Sequence, residues 1–318
     1  MAQTESPVQI DAEAACRTAA GGTVPRLAGH WELVALAAEG SWAQVYCARP
    51  AGSPPDSPAA YAVKTLRPDR QGDATALGLL AREALAGRSV SHPHLISILE
   101  VQLRQAPPLV VMPWLEGATL AARLAAGWGP DLPEALWIAR QAAEALAALD
   151  SAGWIHGDIK PSNLFVSPEG HVTLLDLGFA RHRGDAPHRG ATMLRMVPGP
   201  AAGRCLIGTP YYLAPECFSD SLGPDIRSDL YSLGIVLYEL LSGRLPFERQ
   251  DLAGLANQHK RTAPVRLGRL APHLPLEVAR LVHEMLAKDP LRRPQAPGEV
   301  VGRLVGLEIA TFTERVAA

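Results

Sequence analysis

The chain has 318 residues, of which 47% are hydrophobic and 19% charged, and its formal net charge is −2. That length holds one large two-lobed domain or two small ones with an ample core, and the near-neutral balance gives no global attraction to nucleic acid or to a membrane surface. The four cysteines, Cys16, Cys47, Cys205 and Cys217, form no C-x-x-C pair, a pattern that fits reduced cytosolic thiols better than a disulfide framework or a zinc site. Asp11 and Glu13 interrupt the stretch where a signal peptide needs an apolar core. The longest apolar run, Leu230 to Leu241, is shorter than the roughly 20 residues that span a bilayer. A cytoplasmic protein without a membrane anchor is expected.

In chain order, residues 1–29 carry Ala-Ala and Gly-Gly pairs with little periodicity, which predicts a flexible tail with a short helix near Asp11 to Ala20. Trp31 to Ala38, Gln44 to Arg49 and Tyr61 to Leu66 read as successive strands of an antiparallel sheet, with a proline-rich loop, Pro50 to Pro58, before the third. Ala76 to Arg88 has a helical pattern, and Leu95 to Leu103 with Leu109 to Trp114 completes the sheet. His92 and His94 read as structural, since no carboxylate or cysteine neighbour completes a metal site. Leu132, Leu136, Ala139, Ala143, Leu146 and Leu149 recur at steps of three and four, so a long amphipathic helix ends at Ser151-Ala152-Gly153. Ser228 to Leu241 is apolar nearly all round and predicts a buried helix.

The chemistry concentrates in His156 to Asn163, HGDIKPSN. Asp158 can accept a proton from an attacking hydroxyl, Lys160 can neutralise phosphate charge, and Asn163 can offer an oxygen to Mg²⁺. Asp176-Leu177-Gly178 follows the apolar run Val172 to Leu175 and supplies a second carboxylate. Lysine usage points the same way. Only Lys64, Lys160, Lys260 and Lys288 are found among 30 basic residues, in a composition rich in Ala, Arg, Gly and Pro that suggests a GC-rich bacterial genome. Lysine then survives where a compact ammonium is needed, since a planar guanidinium is no substitute at a tight phosphate site.

Here the chain resembles the eukaryotic-type serine/threonine protein kinases. Its catalytic loop is similar to H-R-D-x-K-x-x-N with Gly157 for the arginine, and Asp176-Leu177-Gly178 is similar to D-F-G. Ala38 to Val45 looks like the glycine-rich loop with only Gly40 kept, Ala38 and Ala43 replacing its flanking glycines; without the resemblance it reads as an ordinary hairpin with a glycine turn. Tyr61-Ala62-Val63-Lys64 matches the V-A-I-K strand, and Glu83 is the candidate partner of Lys64. Met112 corresponds to the back of the adenine pocket, and Pro113-Trp114-Leu115 to the hinge, where the Pro113 carbonyl accepts and the Leu115 N–H donates. Gly208 to Glu216, GTPYYLAPE, is similar to the G-T-x-x-Y-x-A-P-E of serine/threonine kinases, the class that also places a lysine at 160. Asp229 resembles the aspartate that braces the catalytic loop, and Arg292 the arginine that pairs with Glu216.

The resemblance implies an α+β, two-lobed protein-kinase-like fold with a small antiparallel-sheet N-lobe and a larger, mainly helical C-lobe. The expected boundaries are a tail at 1–29 and a kinase domain at 30–311, divided into an N-lobe at 30–112, a hinge at 113–117 and a C-lobe at 118–311. It also implies ATP with Mg²⁺, or Mn²⁺ as the alternative, and transfer of the γ-phosphate to protein serine or threonine. Asp158, Lys160, Lys64 and Glu83 would be catalytic, and Asn163 and Asp176 would hold metal. Ala38, Gly40, Ala43, Val45, Ala62, Lys64, Met112, Pro113, Leu115, Asn163 and Asp176 would line the nucleotide. The alternatives are a pseudokinase scaffold, suggested by the eroded glycine loop, and a small-molecule phosphotransferase. Gly157 offers no charge to a phosphorylated segment, so activity is expected not to require phosphorylation of Thr192, the one hydroxyl between Asp176 and Thr209. Arg181, Arg183, Arg189, Arg195 and Arg204 face only Asp185 in that stretch, which reads as a solvated mobile loop or, less simply, a dock for an acidic partner.

Overall fold

The structure, a computed structural model, describes residues 26–54, 56–185, 195–198, 204–207, 210–218, 223–247 and 251–317. The described residues form an α+β chain of two compact units: one comprises those up to Ser91 with Ile96–Glu116, the other His92–Leu95 with those from Gly117 onward.

The first unit is a six-stranded antiparallel sheet and one helix. Its strands are β1 (Arg26–Ala28), β2 (Trp31–Glu39), β3 (Ala43–Pro50), β4 (Tyr61–Leu66), β5 (Glu100–Gln102) and β6 (Leu109–Pro113), in the order β1-β2-β3-β4-β6-β5. Residues 26–28, expected in the tail, are instead paired with Trp31–Leu33 of β2. Ala28 is buried with Trp31, Leu33, Tyr46, Ala48, Val63, Leu109 and Val111 in the apolar core of this sheet, so burial holds the strand in place. Helix α1 (Ala74–Ser89) starts at Asp73, whose carboxylate accepts from the N–H groups of Thr75 and Ala76 and so satisfies two donors that a helix start leaves over.

The strand expected at Leu95 to Leu103 shrinks to Glu100–Gln102. Its expected first residue, Leu95, belongs with His92–His94 to the second unit, where His94 Nδ1 meets the Val172 carbonyl at 2.8 Å and the Leu174 N–H donates to His94 O, also at 2.8 Å. Once those groups are used, Leu95 can offer only an isolated parallel bridge to Leu174.

The second unit is mainly helical. Strand β7 (Ala118–Thr119) and helix α2 (Leu120–Ala125) lead to helix α3 (Leu132–Ser151), which opens with a capping box: Asp131 accepts from Glu134 N–H and Glu134 accepts from Asp131 N–H. Its Ala and Leu face is buried against α4 (Ile226–Ser242) and α8 (Pro297–Ala317). Strands β8 (Trp154–Ile155), β9 (Leu164–Val166), β10 (Val172–Leu174) and β11 (Arg181–His182) frame the loops between, and α5 (Leu252–Arg261), α6 (Leu267–Leu270) and α7 (Leu276–Met285) complete the unit. Gly117, with φ +126°, must be glycine, because a Cβ there would lie 2.3 Å from the Val166 carbonyl oxygen. In the arginine-rich stretch, β12 (Arg195–Pro198) pairs antiparallel with β13 (Arg204–Ile207), so part of the expected loop is a hairpin. Thr192, Gly208, Thr209 and the tail helix lie outside the described residues.

Two sequence expectations need correction. Cys47 is disulfide-bonded, contrary to the reduced state expected from cysteine spacing. The partner of Glu216 is Arg293, not Arg292: Nη1 and Nη2 of Arg293 reach Glu216 Oε1 and Oε2 at 2.7 and 2.8 Å. The three-residue 3₁₀ turn Pro290–Arg292 ends just before Arg293, which takes the extended backbone that Pro294 imposes on its predecessor. Arg293 is turned inward, and its remaining N–H groups go to the carbonyls of Ala287, Arg227 and Lys288. Arg292 is exposed.

Removing one partner of a buried pair leaves an uncompensated charge and costs about 3–5 kcal/mol, whereas exposed substitutions usually stay within about 0.5 kcal/mol. Urea unfolding should therefore show a large loss for Arg293→Met and almost none for Arg292→Met. Acid adds a second check. Burial works upward on the Glu216 carboxyl, but Arg293 and the Ser228 hydroxyl outweigh it and hold it below its ordinary value. A depressed carboxylate contributes stability above its unfolded pKa of roughly 4.3 and loses it as pH falls through the folded value. The advantage of wild type over Glu216→Gln should be full at neutral pH and shrink below about pH 4.3.

Candidate active site

Strand periodicity assembles the residues of the first unit. Ala38 pairs with Val45, Val45 with Lys64, and Ala62 with Met112. Because facing residues share a side of the sheet and alternate residues return to it, Ala38, Val45, Ala62, Lys64 and Met112 lie on one face. The opposite face carries Tyr46, Val63, Leu109 and Val111 of the apolar core. Lys64 Nζ meets Glu83 Oε2 of α1 at 2.7 Å, and both residues are buried. Glu83 neutralises an ammonium that the sheet holds away from water, and so fixes its position.

The turn from β2 to β3 holds Gly40, whose N–H donates to Ala43 O at 2.9 Å. Gly40 has no positive φ, and a Cβ there would touch only Ala43 O at an ordinary 3.7 Å, so the fold itself does not demand glycine. Polar side chains brace this turn. Arg67 Nη1 donates to Glu39 Oε1 at 2.6 Å, Gln44 Nε2 to Glu39 Oε2 at 2.7 Å, and Tyr46 Oη to Gln44 Oε1 at 2.9 Å. Trp42, at the tip, is buried with its ring 4.6 Å from Lys64 Nζ. The sequence reading missed Trp42, Glu39, Arg67 and Gln44. An aromatic between Gly40 and Ala43 was the available signal for the first, whereas the others depend on strand register. Met112 and Pro113 end β6, and Leu115 follows, half-buried.

In the second unit one carboxylate organises the loop. Asp229 of α4 is buried, and its two oxygens accept the N–H groups of His156 at 2.7 Å and Gly157 at 2.8 Å. Burial pushes its carboxyl up to about 7, against the opposing pull of those two donors. His156 Nε2 lies 2.9 Å from Leu175 O, and the Asp158 N–H lies 3.2 Å from His156 Nδ1. Those partners assign the proton to Nε2 in a neutral ring, and burial, which lowers its pKa, agrees.

Asp158 Oδ2 takes both Lys160 Nζ at 2.7 Å and Asn163 Nδ2 at 3.0 Å. That leaves Oδ1 without a hydrogen-bond partner among the described residues. Asn163 Nδ2 also donates to Asp158 O at 2.8 Å, so its amide is anchored by nitrogen and its side-chain oxygen is available. The Leu175 N–H donates to Asn163 O at 2.8 Å, which ties the residue before Asp176 to the loop. Asp176 itself has φ +61°, the only positive φ at a non-glycine among the described residues. Such a conformation costs on the order of 1–3 kcal/mol and concentrates at functional sites.

A protein kinase domain model matches residues 35–301. The chain belongs to the protein kinase domain family. This kinase domain is 34% identical over 280 residues to a probable serine/threonine-protein kinase of Streptomyces coelicolor, covering 86% of the chain and 39% of the relative. It is 32% identical over 289 residues to the serine/threonine-protein kinase PknB of Mycobacterium tuberculosis, covering 89% and 44%, and 30% identical over 269 residues to PrkC of Bacillus subtilis, covering 84% and 39%. The chain thus spans less than half the length of these relatives.

The donor set would suit a divalent metal ion held partly by other groups. No cluster of three His, Cys, Asp or Glu side chains suited to a metal occurs among the described residues. Asn163 and Asp176 nonetheless offer an amide oxygen and a carboxylate, hard oxygen donors of the kind a divalent cation takes when phosphate and water fill its other positions.

Gly157 has φ +81°, the backbone that lets its N–H reach Asp229. An alanine there should cost about 1–2 kcal/mol of left-handed strain. Urea unfolding of Gly157→Ala should show that loss, while Gly298→Ala, at a position with nothing within 4 Å of a new Cβ, should show no loss.

Proposed function

We propose that the chain is a serine/threonine protein kinase that uses ATP and Mg²⁺. The observation that carries this reading is Asp158 with Oδ2 occupied by Lys160 and Asn163 and Oδ1 left for a proton. Asp158 orients the substrate hydroxyl and takes its proton through Oδ1 as the hydroxyl oxygen attacks phosphorus. Lys160, 2.7 Å from the same carboxylate, places positive charge where the transferring phosphoryl group would gather negative charge. Lys64, positioned by Glu83, serves the non-transferred phosphates, and Ala38, Gly40, Ala43, Val45, Ala62, Met112, Pro113 and Leu115 serve the nucleotide. Asn163 and Asp176 hold the metal, which when bound offsets phosphate charge. Placement and electrostatics supply most of the catalysis in such a transfer.

The names of the relatives and Lys160 support serine and threonine as acceptors, and the demand for ATP supports a cytoplasmic site of action. No described helix is long and apolar enough to cross a membrane. Partners follow from the same reading: ATP, protein substrates, and an acidic partner for the arginines between Arg181 and Arg204.

Transfer of labelled phosphate from ATP–Mg²⁺ to a generic basic protein substrate tests the proposal. Asp158→Asn and Lys64→Met should each lower transfer at least ~100-fold, and Thr192→Ala should keep most of it. Equal label in wild type and Asp158→Asn would remove the catalytic reading and leave a scaffold.

A further inference from the structure

The polar side chains that brace the turn from β2 to β3 all lie on one side of the sheet. Gln44 pairs with Glu39 across β2 and β3 and with Thr65 across β3 and β4, so the three share a face. Tyr46, two residues on from Gln44, belongs to the apolar core of that face. Ala38, Val45 and Lys64 are on the other. Arg67 comes two residues after Thr65, just past the end of β4, and the following Pro68 holds its backbone extended, with φ −55° and ψ 149°. In that conformation the Arg67 N–H donates to Trp42 O at 3.1 Å.

The Arg67 side chain reaches the same turn. Its Nη1 donates to Glu39 Oε1 at 2.6 Å and to the Gly40 carbonyl at 3.3 Å, while its Nε donates to Asp69 Oδ1 at 2.9 Å. One arginine therefore grips the turn at three points, the Glu39 carboxylate and the carbonyls of Gly40 and Trp42. The second Glu39 oxygen accepts from Gln44, and Gln44 accepts from the hydroxyl of Tyr46, which is buried and anchors the far end of the brace. The backbone of the turn adds little definition of its own, since Gly40 has no positive φ and has room for a Cβ. Arg67 is 29% exposed and Glu39 33%, so water screens the pair and its worth to global stability is small. What it can do is select one arrangement of the turn.

We propose that Arg67 is a positioning residue for the nucleotide, holding the turn from behind so that Gly40 and its neighbours meet the phosphates already ordered. The inference rests on the nucleotide reading of Ala38 to Val45 given above. Arg67 acts through the turn, because Glu39, Gln44 and Tyr46, to which it is tied, face away from Lys64. A turn released from the brace spends part of its time in other arrangements, and the apparent affinity falls in proportion to the competent fraction. The complex, once formed, keeps its geometry, so the chemical step is left as it was.

The test measures labelled-phosphate transfer by the full chain over a range of ATP–Mg²⁺ concentrations, with binding of ATP and of adenosine followed in parallel. Arg67→Met, which keeps the stem and loses the guanidinium, should raise the KM for ATP about 5- to 10-fold and leave kcat within about 2-fold. Glu39→Met should do the same, and the double variant should be no worse than either single one, since both cut the same brace. Arg67→Lys keeps a charge for Glu39 but loses the fork that also serves Gly40 O, so it should recover part of the loss. Adenosine, with no phosphate for the turn to hold, should bind wild type and variants alike. An unchanged KM in Arg67→Met, additive losses in the double variant, or an equal loss of adenosine and ATP binding would each overturn the assignment. A wild type that neither binds ATP nor transfers phosphate would overturn the nucleotide reading and this inference with it, a result distinct from an active wild type with unaltered variants.

Discussion

The loop from His156 to Asn163 depends on one buried carboxylate. Asp229 gathers two successive backbone N–H groups, of His156 and Gly157, and so holds the loop from a helix that is itself buried nearly all round. Its place on α4 is secured by the capping box of Asp225 and Ser228, and the Ser228 hydroxyl that accepts from Asp225 N–H also donates to Glu216. A helix start, an ion pair and the loop at His156 are therefore coupled through Asp225, Ser228, Glu216 and Asp229. Polar networks of this kind rigidify a site only when every member is satisfied, and each of these is.

Both units use buried charge in the same manner. Lys64 with Glu83 and Arg293 with Glu216 are each withdrawn from water as a pair, an arrangement that adds little net stability over apolar packing but is costly to break. The first pair joins the sheet to α1, and the second joins the segment at Glu216 to the turn before Pro294. The donors differ: Arg293 spends its remaining N–H groups on three backbone carbonyls, whereas the Lys64 ammonium also lies 4.6 Å from the Trp42 ring.

Much of this was legible in the sequence, because the groups lie within short spans. Asp158, Lys160 and Asn163 are brought together by one loop and one turn, and Lys64 is placed by the alternation of β4. Glu83 needed only one helix at the right distance along the chain. What failed depended on the direction of a side chain or on distant pairing. Arg292 and Arg293 are adjacent and chemically identical, and only the turn that ends at Arg292 decides which points inward. The Arg67–Glu39–Gln44 brace spans two strand registers and a loop, so no local pattern announces it. Residues 26–28 looked like tail because a three-residue strand has no room for a periodic signature, and Cys47 gave no spacing signal of its bond.

The two faces of the first sheet have a consequence for how this chain can err. In β4, Val63 points into the apolar core, and Ala62 and Lys64 point the other way. A slip of one residue would exchange those faces, forcing an ammonium into the core and removing it from Glu83 in the same movement. One register therefore serves both the core and the Lys64–Glu83 pair.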